Sequence, residues 1–175
     1  MKQNSPHKRV SRFFLPLKEH PLQTFLGPGL QLADIIEWGL DQIGPADVFV
    51  STFSTSEEFL RRFYRIRSQG YVKSSVLLID LKATRKTLNL YRFISSVFDY
   101  CYLAENHSKV ILIRSASACL CLVTSQNQTR GDRTECYVLS TSPEIYSTLH
   151  NQFLHITTEK SMLLNDIFQR ANIKD

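Results

Sequence analysis

The chain has 175 residues, 43% of them hydrophobic and 21% charged, with a net charge of +5. This length and apolar content suit one globular domain with a sizeable core and exclude a low-complexity chain. The basic excess fits a polyanionic partner without requiring one. No apolar stretch approaches the roughly 20 residues of a membrane-spanning helix, and FFLPL near the start is too short for a signal-peptide core. Cys101, Cys119, Cys121 and Cys136 lie in apolar runs, without CxxC spacing or a histidine cluster. They read as small buried hydrophobes in a reducing compartment, so a cytoplasmic location is expected.

Residues 1–29 mix basic residues (Lys2, Lys8, Arg9, Arg12, Lys18) with prolines and end in GPG. They read as a basic N-terminal arm, with Phe13, Phe14 and Leu15 as a candidate short docking strand. The main domain is expected over residues 30–157. Leu32, Ile35, Ile36, Leu40 and Ile43 keep helical spacing up to the Gly44-Pro45 stop. Residues 47–53 read as a strand. Thr55 and Glu58 have the spacing of a capping box for a helix that turns Phe59, Leu60, Phe63 and Ile66 inward and closes at Gly70. Residues 75–81 form a near-continuous apolar strand of the kind buried on both faces. A helix is expected over 83–98, then strands near 99–104, 107–113, 119–125 and 135–140. Ser142 with Pro143 starts a further helix, and a last one is expected over about 160–171, within a C-terminal segment 158–175 packed on the domain. Strands alternating with helices, followed by adjacent strands, predict an α/β domain with a mixed sheet and helices on both faces.

Three of these strands bring polar groups to one end. His107 and Lys109 are two apart, as are Ser125 and Asn127, and Glu135 opens the next strand. Side chains at i and i+2 of a strand share a face, so the five can converge. Hydrolysis of a phosphate diester needs cations or donors on the phosphoryl oxygens, a nucleophile, and a proton donor for the leaving oxygen. Lys109 supplies charge, Ser125 and Asn127 supply donors, and His107 can attack phosphorus to form a covalent intermediate. Glu135 can orient the imidazole. The sequence shows no carboxylate cluster for Mg²⁺ and no His/Cys cluster for zinc, so a metal-free route with no cofactor is expected. Arg130 and Arg133 flank this site as candidate substrate-binding residues, and Arg61, Arg62, Arg65, Arg67, Lys82, Arg85, Lys86 and Arg92 mark basic helix faces. The faces read as solvated, or as a groove for a phosphate backbone.

His107-Ser108-Lys109, Thr124-Ser125-Gln126-Asn127 and Glu135, in that order on successive strands, resemble the phospholipase D superfamily. Its signature is H-x-K-x-x-x-x-D, followed by a G-S-x-N-like segment and a later Glu. The resemblance covers residues 30–155. It implies that His107, Lys109, Asn127 and Glu135 are catalytic and line a phosphate pocket. Two departures stand out: Arg114 occupies the signature Asp position, and Thr124 stands where Gly is usual. A single motif in a short chain resembles the small dimeric nucleases of that superfamily. The implied protein is a homodimeric, metal-independent nuclease on DNA or RNA with a phosphohistidine intermediate. Nucleic acid is preferred to phospholipid, since the chain is basic and no lipid-facing apolar helix is visible. Arg114 keeps an alternative open: a catalytically inactive nucleic-acid-binding or interaction module.

Overall fold

The computed structural model describes residues 6–83, 90–129, 132–164 and 166. Eight strands form one mixed sheet in the order β1-β7-β6-β5-β2-β3-β4-β8. The central parallel strands are β2 (Ala46–Thr52), β3 (Val72–Asp80) and β4 (Tyr100–Ala104). On one side of β2, β5 (Val110–Arg114), β6 (Cys119–Thr124), β7 (Glu135–Ser140) and β1 (Leu22–Gly27) pair antiparallel in succession. The short β8 (Met162–Leu163) closes the other edge against β4.

The helices cover both faces of the sheet, as the alternation of elements predicts. Helices α2 (Leu32–Ile43), α3 (Glu57–Ser68) and α4 (Tyr91–Val97) lie over one face. They bury Trp38, Leu40, Phe63, Ile66 and Val97 against Val48, Leu77, Ile111 and Leu122. Helix α5 (Pro143–Glu159) covers the other face, packing Tyr146 and Phe153 on Leu78, Leu112 and Cys121. Each such large side chain withdrawn from water contributes roughly 1.5–3 kcal/mol before entropy is counted. Gly39 lets α2 approach the sheet closely, because a Cβ there would stand 2.6 Å from Leu120 Cδ2. Gly44 ends α2 with φ 82°, a conformation that costs glycine little.

Four local expectations change. Ser56, rather than Thr55, caps α3 by accepting the Phe59 N–H at 3.2 Å. The helix expected over 83–98 is α4 alone within the described residues, preceded by a 3₁₀ turn at Leu81–Ala83; residues 84–89, with Arg85 and Lys86, lie outside them. The helix expected over 160–171 begins instead with β8, because the unpaired edge of β4 offers that segment ladder hydrogen bonds; residues 167–175 lie outside the described set. The N-terminal segment is not a loose arm. Helix α1 (Pro6–Val10) packs on α2, and β1 joins the sheet through β7. Phe14 docks without forming a strand, in an aromatic cluster with Phe25, Trp38 and Tyr137. Trp38 and Phe14 are each 1% exposed, so this segment is part of the core.

Candidate functional site

Where β4 ends, the chain turns through residues 105–109 before entering β5, and the anchor of that turn is Asn106. Its side chain is buried among strand ends. Nδ2 donates to Ser51 Oγ at 3.0 Å and to the Thr52 carbonyl at 3.1 Å, while Oδ1 accepts the Ser108 N–H at 3.1 Å. The Asn106 N–H donates to buried Asp80 at 2.7 Å, and the other Asp80 oxygen accepts the Lys82 N–H at 2.7 Å. Ser51 and Ser108 hydroxyls stand 2.5 Å apart. β2, β3 and the turn are thereby tied together directly beneath His107. Asn106, Asp80 and Ser51 carry no motif of their own. The available signal was the tendency of Asn to bond nearby backbone in turns.

His107 sits exposed on this turn, with its ring 5.1 Å from that of Phe53. Lys109 Nζ donates to the His107 carbonyl at 2.7 Å and lies 3.4 Å from Nδ1. An ammonium donates only, so this contact favours the imidazole tautomer that carries its proton on Nε2. Lys109 is half-buried, and burial pulls its pKa below the usual lysine range against the opposing pull of the Glu135 carboxylate. Across β6 and β7, the Ser125 hydroxyl donates to Glu135 Oε2 and accepts the Cys136 N–H at 3.0 Å. His107, Lys109, Glu135 and Ser125 therefore form one linked polar patch at this end of the sheet. Within it, Glu135 binds Ser125, and among the described residues no hydrogen bond joins it to His107 of the same chain.

The remaining candidates are placed differently. Asn127 lines a small cavity with Ser56, Phe59 and Arg62 at the start of α3, and its carbonyl oxygen is buried without a hydrogen-bond donor. Arg133 is exposed, and Arg130 lies outside the described residues. Of the basic helix faces, Arg61 pairs with Glu57, Arg62 with buried Asp34, and Arg67 with Asp99. Three of those charges thus have partners within the fold. Arg114 lies at the far end of β5, four residues beyond Val110 and so about 13 Å along the strand from the turn that carries His107, at about 3.3 Å per residue. Among the described residues, no group of three or more His, Cys, Asp or Glu side chains could hold a metal ion.

Sequence comparison finds no matching family profile and no curated relative. Comparison of folds does find matches. One is Nuc from Salmonella typhimurium, a phospholipase D family member, at TM-score 0.60 and 14% identity, covering 81% of this chain and 97% of Nuc. The chain has a phospholipase D-like fold. The same fold matches polyphosphate kinase from Porphyromonas gingivalis (TM-score 0.60, 14% identity, 84% of this chain) and phosphatidylserine synthase from Haemophilus influenzae Rd KW20 (0.53, 13%, 82%). This chain spans 29% and 39% of those two proteins. TrmBL2, an archaeal chromatin protein described by a novel mode of DNA binding, matches at 0.52 with 6% identity, covering 83% of this chain and 56% of TrmBL2. In this phospholipase D-like fold the H-x-K segment occupies the turn into β5 and Glu135 begins β7, so the motif residues sit at one end of the sheet.

Proposed function

We propose that this protein is a phosphodiesterase that cleaves nucleic acid, with His107 as nucleophile in a site completed by a second copy of the chain. The observation that carries this reading is the pairing of His107 with Lys109 beside the Ser125–Glu135 bond, on a phospholipase D-like fold. A ring nitrogen of His107 attacks phosphorus, forming the N–P bond as the P–O bond to the leaving group breaks. The leaving oxygen takes a proton from His107 of the second copy. Water then attacks phosphorus and the N–P bond breaks, freeing the first imidazole, while the second imidazole, now neutral, accepts the water proton. Lys109 moves from the imidazole to the phosphoryl oxygens, where its charge offsets theirs. Ser125 donates to the diester once Glu135 turns toward a histidine. Asn127 supplies a further donor to the phosphate through its side-chain N–H.

The net charge of +5 and exposed Arg133 favour a polyanionic substrate. No described helix is long and apolar enough to cross a membrane. A second reading, a binding module without catalysis, is supported by Glu135 bonding Ser125 and, among the described residues, making no hydrogen bond to His107. The deciding experiment measures cleavage of single- and double-stranded DNA and RNA in the presence of EDTA, with wild type and His107→Ala compared. EDTA-resistant cleavage that the substitution abolishes is the expected result. Salt-sensitive binding without cleavage would establish the module instead.

A further inference from the structure

Arg114 is the residue with which this chain breaks the phospholipase D signature, and the chemistry at His107 does not use it. Its surroundings are distinctive. It opens onto a cleft of about 550 Å³ at the pole of the sheet opposite His107, a volume typical of small-molecule sites. Leu17, Ile43 and Pro143 supply apolar wall, Thr141 a polar edge, and Lys18 a second cation. Among the described residues, no carboxylate lines this cleft.

Arg114 is held for such a role. Its guanidinium carbon stands 5.4 Å from the centre of the Tyr146 ring, which orients the group without neutralising it. Among the described residues it has no ion-pair partner. Asp47 is its neighbour across the β2–β5 ladder, but the Asp47 carboxylate accepts the Ser74 hydroxyl at 2.6 Å. Burial pushes the Cys119 thiol up, against the pull of Arg114, so this lining group is neutral and does not repel an anion. Arg cannot discharge at ordinary pH, and its planar fork matches a carboxylate or phosphate oxygen pair.

We propose that this cleft binds a small organic anion, a phosphate or carboxylate carried on a compact apolar group, gripped by Arg114 and Lys18. The replacement of the signature acid by arginine is then a gain of a second site, remote from the diester chemistry and independent of it.

Amide chemical shifts followed during titration test the proposal, with phenyl phosphate, benzoate, inorganic phosphate and phenol as probes. A Lys109→Ala chain is run beside wild type to remove binding at the His107 end. Saturable shifts at Ser117, Cys119 and Thr141 with phenyl phosphate or benzoate, retained in Lys109→Ala, are the expected result. Which of the two binds more tightly names the anion class. Arg114→Gln should weaken binding about tenfold or more, and phenol should not saturate. Lys18 is exposed, so Lys18→Gln leaves the fold intact and should weaken binding several-fold even if Arg114→Gln perturbs the Tyr146 packing. The proposal fails if neither organic anion saturates these amides. It also fails if phenol or inorganic phosphate binds as well, or if Lys18→Gln leaves the affinity unchanged.

Discussion

Replacing Asn106 by alanine tests whether the turn that presents His107 is held from beneath. The buried amide has two N–H hydrogens shared among Ser51 Oγ at 3.0 Å, the Thr52 carbonyl at 3.1 Å and the Leu78 carbonyl at 3.4 Å. Its oxygen accepts the Ser108 N–H at 3.1 Å and the Ser108 hydroxyl at 2.6 Å. That amounts to about four bonds at ~1 kcal/mol net each. The Ser51 and Ser108 hydroxyls, 2.5 Å apart, can re-pair with each other, which returns part of the loss. A destabilisation of about 2–4 kcal/mol follows, since stranded buried groups cost more than the bonds are worth. Asn106→Asp should be no milder. It loses the donors and puts a carboxylate beside the turn that Asp80 already holds. Urea denaturation measures the loss as a lower midpoint at constant slope. If His107 is the nucleophile, the cleavage rate of the folded variant also falls while binding persists. A loss below about 1 kcal/mol for both variants would refute the argument that this network holds the turn.

Four further outcomes are expected. Asp34, 2% exposed, faces Arg62 and Arg9; Asp34→Asn strands Arg62 and should cost about 3–5 kcal/mol in denaturant melts. Glu135→Gln removes the charge that holds the Lys109 pKa up against burial. Lys109 then loses its proton at lower pH, and the alkaline limb of phosphate binding should move down; an upward move would contradict the placement of Glu135. Burial raises the Asp99 carboxyl, but hydrogen bonds from Arg67 and Ser75 outweigh it and hold the pKa below the ordinary range. Its stabilising effect is therefore full above the unfolded-state pKa and is lost as pH falls through the folded one, so Asp99→Asn should lower stability at neutral pH and flatten the acid limb of unfolding. Finally, sedimentation equilibrium should show a dimer under conditions where cleavage is measured, and a strictly monomeric active enzyme would defeat the shared-site mechanism.

Helix α2, strand β3 and helix α5 were legible because each buries a continuous stripe or run, and hydrophobic spacing records burial directly. β1 was not, because its apolar residues do not follow its alternating burial (Leu22 and Leu26 face outward while Gln23 is half-buried), and its strand state comes from the β7 edge it pairs with. β8 has the same origin on the opposite edge. His107 and Lys109, two apart, approach each other within 3.4 Å, although both precede β5 and the turn rather than strand alternation brings them together. Ser125 reaches Glu135 while Asn127 lines a cavity at the start of α3; both lie beyond the end of β6, where alternation no longer fixes direction.

Composition, periodicity and turn residues thus determined the fold class, most helices and the strands that carry the motif, because those depend on local geometry and on which side chains avoid water. Only the tertiary structure decided that Val10, Phe14 and Leu17 belong to the core, that Arg61, Arg62 and Arg67 are paired, and that Asn106 carries the His107 turn. Those outcomes depend on partners distant in the chain, such as Asp99 for Arg67 and Thr52 for Asn106, which no local pattern encodes. The same holds for Arg114. In sequence it is a broken motif, and in the fold it is a cation at the mouth of a cleft.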